Sequence, residues 1–231
     1  MEKGLYEIFA NSWYRGGSVW LYSDPHFGDK DVAQFRKNNI SDEEQVKRIN
    51  SVLGQDDTLI ILGDVGDRRY VKQLRGYKVL IMGNHEKGAN NYRRRMIPHT
   101  YHSMEELYHG LNTGEIDYVG VNDYDTDGSI RYHGFKDTKL FDEVYEGPVW
   151  VGERLLLSHE PLSLPYALNI HGHDHANLLY PNCYNVCAEH IDYTPVCLKH
   201  ILNSGLLKPV ESIHRITIDA ATARSERKSK K

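Results

Sequence analysis

At 231 residues the chain can bury a sizeable core without disulfides, either as one large domain or as one domain carrying an insertion. Its 28 Lys and Arg against 32 Asp and Glu leave a net charge of −4, which offers no general attraction to nucleic acid or an anionic membrane. Any hold on an anionic substrate must therefore come from a local cationic feature, which a bound metal would supply.

Taken in chain order, Leu5 to Tyr14 reads as β-rich, and Val19 to Tyr22 as a strand that stops at Ser23-Asp24-Pro25-His26. Ser41 signals a helix start, with Glu44 placed as its reciprocal capping partner, and Val46, Ile49, Val52 and Leu53 give that helix one apolar face. Thr58 to Leu62 suits a strand buried on both faces and ends at Gly63-Asp64. A short helical piece is expected around Tyr70 to Leu74, then a strand from Lys78 to Met82 ending at Gly83-Asn84-His85-Glu86. Strand, loop and helix in repetition imply parallel pairing with crossover helices. From Ile97 to about Leu140 the chain turns rich in Tyr, Gly and Asp, and reads equally as an inserted cap-like segment or a surface excursion. Val149–Val151, Arg154–Ser158, Asn169–His171 and Tyr184–Ala188 read as short strands, and Pro195 as the opening of a helix to about Asn203. Residues 1–219 are thus expected to form a single domain around the 97–140 insertion, and 220–231 a basic, unstructured tail.

The odd cysteine count, Cys183, Cys187 and Cys197, reads as free thiols in a reducing compartment. Neither a signal-like apolar run at the N-terminus nor a membrane-length stretch is found, so a cytoplasmic location without membrane attachment is expected. A zinc cluster of Cys183, Cys187 and His190 lacks a fourth ligand at finger-like spacing.

Five loops carry chemistry: Asp24-Pro25-His26, Gly63-Asp64-Val65-Gly66-Asp67-Arg68, Gly83-Asn84-His85-Glu86, Ser158-His159-Glu160-Pro161 and Gly172-His173-Asp174-His175. Each follows an apolar strand and sets an oxygen or imidazole donor just past its end, where open α/β sheets gather ligands. Taken singly, each is more often a plain turn; in this order and together they are a strong signal. With ILGDVGDRR, GNHE, LLLSHEP and IHGHDH, the chain resembles the calcineurin-like metallophosphoesterase superfamily from Val19 through His175, and most closely its small bacterial and phage members.

The resemblance implies an α/β (α+β) fold, a four-layer sandwich of two mixed β-sheets flanked by helices. It also implies two divalent metal ions, manganese foremost, with Fe, Zn, Ni or Co also admitted by mixed O and N ligation. Asp24, His26, Asp64 and His175 would surround one ion, and Asp64 would bridge to a second held by Asn84, His159 and His173. A hydroxide shared by the two ions would attack phosphorus while His85 protonates the leaving oxygen. Asp67 would orient His85 and Arg68 would grip phosphate, whereas Glu86 and Asp174 would serve the loops. The expected substrate is a small phosphomonoester or phosphodiester, nucleotide-like; nuclease and protein phosphatase activity are subcases. The alternative is a scaffold that has lost catalysis, against which the filled ligand positions and His85 argue.

Two other signals are weaker. Asp123 to Gly128 opens like a calcium loop, but Gly134 stands where its bidentate Glu belongs. Tyr101, Tyr108, Tyr118, Tyr124 and Tyr132 could stack on a nucleobase, though packing of a small subdomain is the commoner use.

Overall fold

A computed structural model describes residues 13–34, 36 and 38–229, and the expected strand Leu5–Tyr14 lies almost wholly outside them. β1 (Val19–Tyr22), β2 (Thr58–Leu62) and β3 (Tyr77–Ile81) pair in parallel, as the strand–loop–helix repetition requires. The five residues of β2 are all buried, which suits a central strand covered on both faces. Between β1 and β2 come α1 (Lys30–Ala33), capped by Asp29, and α2 (Asp42–Val52), capped by Ser41. Ser41 Oγ accepts from Glu44 N at 3.2 Å, but the Glu44 carboxylate pairs with Lys47 and Arg48 instead of reaching back. Two cations one turn along the helix thus outcompete the reciprocal cap. From α2 the buried Gln45 joins Tyr22 Oη and the Pro25 carbonyl, at 2.8 and 3.0 Å, so this helix fastens the loop that follows β1. α3 spans Arg68–Val71, slightly earlier than its apolar residues indicate, because Asp67 caps it.

The chain then divides into two compact units, of which the second is Asn90–Asp142. Within it β4 (Met96–Tyr101), β5 (Tyr118–Val119) and β6 (Asp123–Tyr124) each pair antiparallel with the long β7 (Ile130–Asp137), and α4 (Met104–Thr113) links β4 to β5. The calcium-like stretch is a hairpin here. Asp123 binds Arg131 and His133, and Asp127 accepts from Ser129, so its carboxylates are turned to the strand and the turn.

The first unit resumes with β8 (Glu143–Tyr145), parallel to β3. Next come β9 (Val149–Trp150), β10 (Leu155–Leu157), β11 (Leu168–His171) and β12 (Cys183–Asn185), which form a second mixed sheet in the order β12-β11-β10-β9. β13 (Val196–Cys197) returns to the first sheet antiparallel to β1, giving the order β13-β1-β2-β3-β8. Pro195 therefore precedes a strand, and α5 (Leu198–Asn203) starts only after Cys197. Alternate residues of the first sheet (Leu21, Ile60, Leu62, Val79, Ile81) share one core with Leu155, Leu157, Leu168 and Ile170 of the second. Mixed sheets with flanking helices are thus the architecture, and the packed sheets bring two sets of strand ends to a common edge. α6 (Ile213–Ser229) runs through most of the stretch expected to be unstructured. Ala220, Ala221, Ala223 and Arg224 favour a helix, and neither Gly nor Pro interrupts it. Among the described residues no helix is long and apolar enough to cross a membrane.

Candidate metal centre

The loops after β1 and β2 run side by side: Asp24 N donates to the Gly63 carbonyl at 3.2 Å and His26 N to that of Asp64 at 2.9 Å. The loops after β10 and β11 meet them. Gly172 N donates to His159 O, and His173 N to Asp24 Oδ2, both at 2.8 Å. This crowding explains the glycine of the Gly172-His173 pair, since a Cβ there would lie 1.8 Å from Ser23 Oγ and 2.2 Å from Asp24 Oδ2. Asp24, His26, Asp64 and His173 all adopt left-handed backbone, with φ of 54°, 46°, 53° and 65°. Non-glycine residues take up that conformation at a cost, and such strain collects at functional sites.

Three groups of donors result: Asp24, His26 and His175; His26, Asp64 and His85; and Asp64, His159 and His173, with the donor atoms of each group within 4.8 Å of one another. Asp64 Oδ2 lies 3.5 Å from His26 Nε2, 3.4 Å from His159 Nε2 and 3.9 Å from His85 Nε2. Asn84 Oδ1 joins the third group, 2.8 Å from His159 Nε2 and 3.2 Å from His173 Nδ1. Every residue expected to hold a metal, and His85, is therefore in one cluster. Among the described residues Asp67 makes no hydrogen bond or ion pair with His85. Its carboxylate accepts from Arg69 N and Nε, each at 2.9 Å. Arg68 opens α3 with an exposed side chain.

Further residues, some within the motifs and some outside them, hold these donors in place. Glu86 accepts from the amides of Asp64, Val65 and Gly83 at 2.6–2.9 Å, which ties the second loop to the third. Asp174 likewise takes the amides of Ala176 and Leu178. Buried Asp24 receives Ser23 Oγ and Cys187 Sγ on Oδ2, at 2.5 and 3.2 Å. Cys183 bonds instead towards Asn169, so the two thiols serve separate neighbourhoods, and all three cysteines are free. His159 Nδ1 donates to the Leu62 carbonyl at 2.8 Å, and His175 Nδ1 to Glu189, leaving Nε2 of each turned to the carboxylates. Arg36 stands behind Glu189, its Nε 3.4 Å from Oε2, and also donates to the Asp24 and Pro25 carbonyls. Asp29 approaches His26 Nδ1 at 3.6 Å. Nothing in the spacing of Asp29, Arg36 or Glu189 marks them; only the folded loops bring them in.

The electrostatics favour cations. Burial opposes charge on Asp24, yet His26, His159 and the donors Ser23 and His173 hold its carboxyl well below the usual range. Burial also opposes charge on His159, but Asp64 and Asp24 raise its pKa to about 9. A field that holds a proton on an imidazole so strongly equally attracts a metal ion. Asp24 Oδ1 and His26 Nε2 are buried without a hydrogen-bond partner and lie 3.8 Å apart. Orphaned polar atoms are costly unless something satisfies them. Carboxylate, amide and imidazole donors so placed fit divalent cations.

A fold of packed mixed sheets with this loop cluster defines a class: the chain belongs to the calcineurin-like phosphoesterase family, whose model matches residues 17–199. The family hydrolyses phosphoesters and generally uses divalent metals. Two solved structures are similar. One is a protein of unknown function from Aquifex aeolicus, 21% identical, with TM-score 0.48, covering 80% of this chain and 98% of its own. The other is a Pseudomonas putida nuclease, 20% identical, with TM-score 0.37, covering 70% of this chain and 63% of its own. No curated protein matches the sequence.

Proposed function

We propose that this chain is a cytoplasmic, two-metal phosphoesterase acting on small phosphate esters. The observation that carries the reading is the shared position of Asp64, which belongs to two of the three donor groups and joins both halves of the cluster. Asp24, His26, Asp64 and His175 would hold one divalent ion, and Asp64, Asn84, His159 and His173 the other. Manganese is the first candidate among several that mixed O and N donors admit. Bound there, such ions supply Lewis acidity towards phosphoryl oxygens and lower the pKa of a water enough to make a nucleophile at neutral pH.

The chain's own residues do the rest. Asp24 and Asp64 fix charge at the floor of the site, both being almost fully buried. His85 stands at its mouth, with a side chain 54% exposed and its backbone N–H held by Asp64 Oδ1 at 3.0 Å. As the P–O bond to the leaving group breaks, His85 gives its proton to the departing oxygen, typically worth 10²- to 10⁴-fold. Its ring meets that of His26 edge-on, with centroids 5.2 Å apart, which limits its swing. Arg68, exposed beside the second loop, is the candidate for a guanidinium grip on the phosphate.

The test combines metal analysis with hydrolysis of p-nitrophenyl phosphate and bis(p-nitrophenyl) phosphate by manganese-loaded protein. About two ions per chain and turnover of either ester support the proposal. Bound metal without turnover of any phosphate ester would make the chain a scaffold, and protein that refuses divalent ions would overturn both readings.

A further inference from the structure

A cavity of about 390 Å³ opens beside His175, lined by Arg36, Asn38, His175, Ala176, Asn177, Glu189 and His190. Its size falls within the roughly 300–1,000 Å³ of small-molecule sites. His175 belongs to the donor cluster, its Nε2 lying 3.7 Å from Asp24 Oδ1, so whatever occupies the cavity adjoins the reacting centre.

The charges among these lining residues are already spent. Arg36 is committed to Glu189 and to the Asp24 and Pro25 carbonyls. Glu189 is committed to His175, and His190 Nε2 faces the Asp174 carbonyl at 3.0 Å. What stays available are side-chain amides. Asn38 is exposed, and Asn177 is exposed with its Oδ1 touched only by Asn185 Nδ2 at 3.5 Å. Each amide offers donors and an acceptor together, the complement of a hydroxyl group. Among the described residues no large apolar side chain lines the space. A second cavity, of about 260 Å³ against Asn84 and His159, carries the carboxylates of Glu146 and Glu160 beside Pro148 and Leu162. Among the described residues neither lining offers an uncommitted cation to a second anionic group.

We infer that the larger cavity is the subsite for the organic arm of the substrate, and that this arm is neutral and hydroxylated, read by Asn38 and Asn177. A sugar or glycerol moiety fits; an arm bearing further phosphates does not. This rests on the phosphoesterase reading and narrows it, since a polyanionic substrate such as nucleic acid or a nucleoside polyphosphate is disfavoured at both cavities.

The experiment compares kcat/KM of the manganese-loaded protein on ribose 5-phosphate, glycerol 3-phosphate, p-nitrophenyl phosphate and a nucleoside triphosphate. Asn38→Ala is paired with Asn177→Gly, because Asn177 has φ of 55°, which glycine tolerates and alanine does not. Two neutral hydrogen bonds contribute about 0.5–1.5 kcal/mol each, so the double variant should lower the ratio of kcat/KM for ribose 5-phosphate over p-nitrophenyl phosphate by about 10-fold. Circular dichroism and thermal melting verify that it folds. A ratio that does not move, or a wild-type preference for the triphosphate, overturns the subsite while leaving the phosphoesterase standing. If p-nitrophenyl phosphate too is untouched by the wild type, the phosphoesterase reading itself fails.

Discussion

His159 and His175 follow strands of the same sheet, β10 and β11, but are held by different means. The first leans on a main-chain carbonyl, that of Leu62, which belongs to a fully buried strand and exists whatever the side chain. The second leans on Glu189, which in turn leans on Arg36. One side of the cluster is therefore fixed by the backbone, and the other by a relay of two charged side chains. The relay is the adjustable side, because an imidazole's orientation and basicity follow the group on its far nitrogen. It is also the side that the larger cavity adjoins.

The largest effect should come from the residue that both sides share. Asp64→Ala removes the carboxylate from two donor groups at once. Metal content by mass spectrometry should fall from about two ions per chain towards none, and turnover by roughly three orders of magnitude, the size of several kcal/mol of lost charge stabilisation. Retention of both ions would end the idea that one residue unites the halves. Next comes His85→Ala. It should cut turnover by about 10²- to 10⁴-fold while metal content stays at the wild-type value, since the proposed proton donor is lost and the floor of the site is kept. A fully active variant would remove His85 from the mechanism.

Glu189→Gln tests the comparison itself. Glutamine keeps the shape but loses the charge that holds His175 Nδ1 and meets Arg36. Titration calorimetry with manganese should show one of two binding steps weakened about 10- to 100-fold, with the other unmoved. Glu189→Ala should do more, because it also leaves Arg36 buried beside no carboxylate. Two steps weakened equally would mean that the sides are not independent.

The donors of this centre were legible in sequence because each follows an apolar run that can only be a buried strand, and strand ends converge. Asp24, Asp64 and His173 needed no tertiary knowledge to be named. Glu189, Arg36 and Asp29 did, since a carboxylate or guanidinium becomes a positioning group only through what the fold sets beside it. The Asp67 carboxylate is taken up locally, by Arg69 two residues on, which its place in the motif did not indicate. β8 and β13 were missed because strands of three and two residues carry no period of their own and exist through β3 and β1. The helix Ile213–Ser229 was missed because a polar, basic composition outweighed its run of good helix formers.

The smallest effect should arise where the device that fixes the cluster, a carboxylate gathering amides, serves the fold alone. Asp57 accepts from the amides of Ser18 and Gly54 at 2.6 and 2.8 Å and from Trp20 Nε1 at 3.2 Å, which pins the entry to β1 against the turn before β2. Burial works against its charge, but the amides of Gly54 and Ser18 and the Trp20 indole lower its pKa. Its stabilisation is thus fully present above the unfolded carboxylate range, about 3.9, and is lost as pH falls through the lower folded value. Asp57→Asn keeps one acceptor oxygen of two, and should lower Tm by about 2–4 °C, equivalent to about 1 kcal/mol, from pH 8 down to pH 5. The gap should begin to narrow below about pH 4 and close once the pH falls through the lower folded value, where the wild-type carboxylate is also protonated. Metal content should be the same in both proteins. A loss of metal in this variant would show that the loops are coupled to the whole sheet, and not held by their own local partners.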